Sequence, residues 1–104
     1  MNNETETTTD STNHPPATVG RDVHYFDPGY EGGKTPLAAK VIQLEQDPKT
    51  IEAVRKINRE PAITEVCTLV VFHPKWNAPG KVVNVARSPS GEARSGYWIW
   101  PPRV

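Results

Sequence analysis

A chain of 104 residues and 11.5 kDa holds one small domain, and its 12 basic side chains are balanced by 12 acidic ones. That balance excludes polybasic binding of nucleic acid, the single cysteine excludes an intrachain disulfide or a Cys-pair zinc site, and no apolar run reaches the ~18 residues of a membrane-spanning helix. Only 36% of residues are hydrophobic, and 11 prolines with seven glycines favour turns and short strands over long helices.

Residues 1–20 carry six Thr with Glu4, Glu6 and Asp10, and no Lys or Arg. Val19 is the one large aliphatic residue after Met1, so this stretch has little to bury and is expected to be a flexible acidic arm. Met1 is followed by polar and acidic residues, so no secretory signal is expected. The remaining residues, 21–104, hold all 12 basic side chains and nine of the 12 acids, a net charge of +3.

Val23-His24-Tyr25-Phe26 reads as a first short strand, followed by a loop with Gly29, Gly32 and Gly33. In Pro36 to Leu44, Leu37, Ala39 and Val41 alternate with Ala38, Lys40 and Ile42, the period of a half-buried strand. Asp47-Pro48 supplies an N-cap and a first-turn proline. Ile51, Val54 and Ile57 then make one apolar stripe of a helix over about residues 48–59, laid across an open end of a barrel. Ile63 to Phe72 is rich in β-branched residues and apolar on both faces in its second half, the mark of a central strand. After a proline-bracketed loop at 73–80, Lys81 to Ser88 alternates again, with Val83 and Val85 on one side and Val82, Asn84 and Ala86 on the other. A turn at 88–92 leads to a last strand, Gly96 to Trp100. The reading is a mainly β domain: a small SH3-like barrel or rolled antiparallel sheet of about five strands with one short helix.

No catalytic constellation stands out. Cys67 lies in the most apolar strand, where a cysteine acts as a small hydrophobe. The serines at 11, 88, 90 and 95 fall in arm or turns without a Gly-x-Ser-x-Gly elbow. His24 and His73 read as barrel-end side chains, and His14 belongs to the arm. Asp22/Asp27 and Glu45/Asp47 read as strand edge and helix cap. Gly29 to Thr35 ends in Gly-Lys-Thr, but a P-loop counted from Gly29 needs its second glycine at Lys34, and Pro36 forbids the helix interior that must follow. No cofactor, metal or enzymatic activity is expected.

Binding has more to work with. Trp76, Tyr97, Trp98 and Trp100 are half of the eight aromatics, and Lys75, Lys81, Arg87, Arg94 and Arg103 flank them. In a regular strand Tyr97 and Ile99 face one way and Trp98 and Trp100 the other, so one face is core and the other exposes bulky apolar surface. The tryptophan pair is expected inside, with Trp100 held in place by Pro101-Pro102 and costly to truncate. Trp76, Lys75, Lys81, Arg94 and Arg103 are the candidate interface residues, Trp76 as an exposed anchor.

Gly96-Tyr97-Trp98-Ile99-Trp100-Pro101 resembles the ending of a set of small tailed-phage and prophage proteins, which close with a Gly-x-Trp-His-Trp-Pro run. Val23-His24-Tyr25, Pro36-Leu37-Ala38-Ala39 with Val41, and Leu69-Val70-Val71-Phe72 with Pro74 extend the likeness over residues 23–103. Ile99 departs from the family histidine, and the 47–60 helix stands where relatives often have a tight turn. The resemblance implies a phage origin and a small β fold, and it brings no activity. With the arm, it leads to the expectation of a virion structural or assembly protein, a capsid cement or head–tail component. Its partner is then a capsid or other virion protein or a further copy of the chain, with no membrane involved. The alternative is an anti-defence or host-takeover protein of the host cytoplasm that sequesters a host protein or a nucleotide signal.

Overall fold

The computed structural model describes residues 16–102. Five strands, β1 (Asp22–Tyr25), β2 (Leu37–Leu44), β3 (Val66–Val71), β4 (Gly80–Ala86) and β5 (Trp98–Ile99), form one sheet in the order β4-β3-β2-β1-β5. Every neighbouring pair is antiparallel. One helix, α1 (Pro48–Asn58), joins β2 to β3. This is the rolled five-stranded sheet with one helix that the sequence predicts, curled into a half-barrel.

Thr68 is where the sheet bends. On one side of it β2 carries an extra residue between Val41 and Gln43, and on the other β4 places two residues, Val83 and Asn84, opposite it. A bulge bends its strand and increases the local twist, so two at one level curl the sheet sharply. Asn84 takes the left-handed conformation, φ 55°, to make its bulge. The bulge corrects the alternation read from the sequence: Val82 and Val85 face the core, and Val83 stands 57% exposed. Beyond the bulge the two sheet edges meet. Arg87 bridges Trp98 in parallel, the Ser88 N–H donates to the Trp98 carbonyl at 2.9 Å, and the Trp98 indole N–H donates to the Val85 carbonyl at 3.1 Å.

The concave side holds the main core, which includes Val23, Tyr25, Leu37, Val41, Cys67, Leu69, Val71, Val85, Trp98 and Trp100. A second cluster joins Val54 of α1 to Ile63, Val66, Ala86 and Tyr97. Val66 and Cys67 are adjacent and both buried, one in each cluster. The helix therefore rests on a satellite of its own, built from the start of β3 and the end of β4. Its cap is the one expected, with the Asp47 carboxylate accepting the Lys49 N–H at 2.9 Å ahead of Pro48. Its stripe is shorter than expected: Ile51 and Val54 pack, but Ile57 is 80% exposed.

The satellite also corrects the terminal strand. Tyr97, Trp98, Ile99 and Trp100 are all buried, because Tyr97 enters the second cluster while the tryptophans fill the first. The Tyr97 hydroxyl is buried without a hydrogen-bond partner among the described residues. Removing an unsatisfied buried polar group relieves its desolvation cost, so Tyr97→Phe is expected to stabilise the domain by about 1 kcal/mol. A thermal melt that drops instead would show that the hydroxyl is satisfied.

Residues 1–15 of the expected arm lie outside the described residues. Of residues 16–20, which the sequence groups with the arm, Ala17 and Gly20 are tied to the sheet. Ala17 belongs to the main core, its N–H donates to Glu65 Oε1 at 3.3 Å, and the Gly20 N–H donates to the Val41 carbonyl at 2.7 Å.

Candidate functional site

In an antiparallel order the β1–β2 and β3–β4 loops leave the same end of the sheet, and four side chains from them converge there. His73 is the centre. Its Nε2 lies 3.1 Å from Asp27 Oδ2, and its Nδ1 accepts the Lys75 backbone N–H at 3.0 Å. These partners fit the neutral tautomer with the proton on Nε2, which then donates to the carboxylate. Tyr30 meets the imidazole edge-on at 4.8 Å, and the Trp76 indole stacks on it at 4.4 Å with planes 13° apart. A turn sets this up, closed by the Trp76 N–H on the His73 carbonyl at 3.1 Å. Gly80 makes the space, since a Cβ there would lie 2.7 Å from the Trp76 ring.

A carboxylate–imidazole pair is the skeleton of many general bases, but here the imidazole is buried. Both ring nitrogens are engaged inside the domain, and the His73 side chain is 4% exposed. Taking a proton from a ligand requires a free ring nitrogen within hydrogen-bond reach of it. The cluster caps the end of the barrel. Trp76, expected as an exposed anchor, keeps 40% of its surface in solvent and stacks its ring on His73.

Apart from Lys75, whose backbone N–H bonds His73, the other candidate residues do not gather around it. Lys75 is exposed beside Trp76, while Lys81 lies on β4 opposite Val70, on the outer face of the sheet. Arg94 is engaged elsewhere, with its guanidinium 2.7 Å from Glu60 Oε1 and 4.5 Å above the Tyr97 ring. That hydrogen bond holds the Glu60 carboxyl below its ordinary range. Arg103 lies outside the described residues. The Asp27–His73 pair escapes sequence reading because 46 residues separate its members and nothing local marks either as a partner. The glycine-rich loop forms a 3-10 turn at Glu31–Gly33, with the Thr35 hydroxyl bonded to the Glu31 carboxylate.

Cys67 is fully buried, and burial, aided by the nearby Glu65, pushes its thiol up to about 12. The thiol is therefore protonated at neutral pH and no nucleophile. Because its ordinary value is 9.0, the folded state keeps a proton that the unfolded state releases. The resulting stability is complete below pH 9 and is lost as pH rises toward 12. Native protein at pH 8 is expected to resist a thiol reagent that labels Cys67 rapidly in denaturant. Fast labelling of the native form would place the thiol at the surface.

The convex face of the sheet offers more. Asp22, Lys40, Val70 and Lys81 stand side by side across β1, β2, β3 and β4, with Ala38 and Phe72 next to them along the strands. Asp22 Oδ1 pairs with Lys40 at 2.8 Å, which holds that carboxyl below its ordinary range. Phe72 is 47% and Ile42 41% exposed. Among the described residues, no group of three or more His, Cys, Asp or Glu comes together to hold a metal ion, and no helix is long and apolar enough to cross a membrane. No family profile, curated protein or solved structure matches the chain.

Proposed function

We propose that this chain is a non-enzymatic binding module that serves as a structural or assembly accessory protein of a phage virion, either a capsid cement or a head–tail component. One contrast carries the reading. The side chains with reactive potential, Cys67 and His73, are withdrawn into the fold, while Ile42, Phe72, Trp76 and Val83 stand in solvent. Several large apolar groups left uncovered on one small domain are what a surface that meets a partner presents. The virion itself is taken from the likeness of residues 96–101 to the endings of small phage proteins.

Mass spectrometry of purified particles tests it. Stoichiometric presence of the chain beside the capsid and tail proteins is the expected result. Absence from particles made by cells that express it would overturn the virion assignment and turn attention to a partner in the host cell. Trp76→Ala is expected to fold and to lower the amount incorporated, since it removes the largest exposed ring.

A further inference from the structure

We propose that the convex face of β2 and β3 is a self-association surface, covered by the same face of a second copy across a two-fold axis that runs parallel to the strands. The inference builds on the reading of the domain as an assembly module and names its first partner as itself.

The order of residues across the face carries the argument. Along one row, Asp22 pairs with Lys40, Lys40 with Val70 and Val70 with Lys81, so the row reads acid, base, apolar, base from β1 to β4. Side chains in register on neighbouring strands stand about 4.8 Å apart, and all four point outward because their neighbours Val23, Ala39, Val41, Leu69 and Val71 point in. A two-fold axis lying between β2 and β3 exchanges β2 with β3 and β1 with β4. Lys81 of one copy then meets Asp22 of the other, twice, by symmetry. Lys40 lays its methylene stem on Val70, and Phe72 lies on Ala38, a small residue opposite a large one.

The charges are free to do this. Asp22 gives only Oδ1 to Lys40, and the Lys81 ammonium has no carboxylate partner among the described residues. An axis across the strands sets Lys40 against Lys40, so charge selects the lengthwise one. Aligned sheets packed face to face are a common way to bury such a row.

Sedimentation velocity on the full chain tests the proposal. The wild type is expected to dimerise as concentration rises. Asp22→Lys and Lys81→Glu each set like charges against each other, and each is expected to weaken the dimer by at least about tenfold. Mixed in equal amounts, the two variants set a base against an acid at both symmetry-related contacts, and the dimer is expected to return. Both positions are exposed, and far-ultraviolet circular dichroism verifies that each variant folds. A wild type monomeric at every concentration, or a mixture that stays as weak as its components, overturns the inference. A monomer found at full stoichiometry in particles overturns it while leaving the virion reading intact.

Discussion

Trp98→Ala is expected to cost about 3–5 kcal/mol and so to consume most of the stability of a domain this small. Three losses coincide at this residue. Its ring is fully buried at the centre of the main core, edge-on to Trp100 with centroids 5.7 Å apart, so truncation leaves the largest cavity any single substitution here can open. Its indole N–H donates to the Val85 carbonyl inside the core, and that hydrogen bond is lost. Its backbone ties β5 to β1 through Tyr25 and to the end of β4 through Arg87 and Ser88, so loosening it reopens the seam where the sheet edges meet. Trp98→Phe keeps most of the volume and is expected to lose less, about 1–2 kcal/mol, chiefly the hydrogen bond. Trp100, which the sequence also marks as costly to truncate, lies nearer the rim, with the Arg21 guanidinium 5.1 Å above its ring. Chemical denaturation of these two variants and Trp100→Ala ranks them. A Trp100→Ala protein less stable than Trp98→Ala would reverse the assignment of centre and rim.

The parts of this fold that are legible in the sequence are those set by neighbours along the chain. The alternation from Leu37 to Val41 shows in burial residue by residue, and Asp47-Pro48 starts the helix as its chemistry dictates. What escapes depends on groups far apart in sequence. Val82-Val83-Asn84-Val85 reads as unbroken alternation, and only the pairing with β3 reveals that Asn84 is an extra residue that moves Val82 to the inner face. Ala17 is too small to register as a core residue, yet Glu65 and the inner surface hold it. Tyr97 and Trp98 enter different clusters, as alternation along a strand requires. The satellite under α1 that buries the first is invisible locally, because Val54, Val66 and Ala86 come from three separate segments. The site follows the same division. Trp76 announces itself by its type, whereas the imidazole beneath it finds Asp27 and Tyr30 only through the meeting of two loops.

Gly33→Ala is expected to be the next most damaging small change, at about 3 kcal/mol from overpacking and backbone strain together. Gly33 has φ +74°, a conformation that costs an L side chain energy in any surroundings. Its surroundings are also closed. A Cβ there would overlap Ser95 Oγ and lie 2.5 Å from Ser95 Cβ and 3.1 Å from Ser95 Cα, so rotating the serine away cannot clear it. The contact matters because it joins the β1–β2 loop to the turn before β5, which the Gly96 N–H also secures on the Phe26 carbonyl at 2.7 Å. Forcing the two apart strains the entry to the strand that carries Trp98. Gly32 supplies the control: its φ of +68° is similar, but nothing lies within 4 Å of the missing Cβ, so Gly32→Ala is expected to show the backbone cost alone, about 1 kcal/mol. Adding Ser95→Gly removes two of the three close atoms, and it is expected to recover about half of the loss at Gly33 and none at Gly32. Thermal melts of the two double-mutant cycles separate the terms. Equal losses at Gly32 and Gly33, or no coupling to Ser95, would mean that the loop and the turn do not touch, and the end of the barrel would have to be held together by the His73 cluster alone.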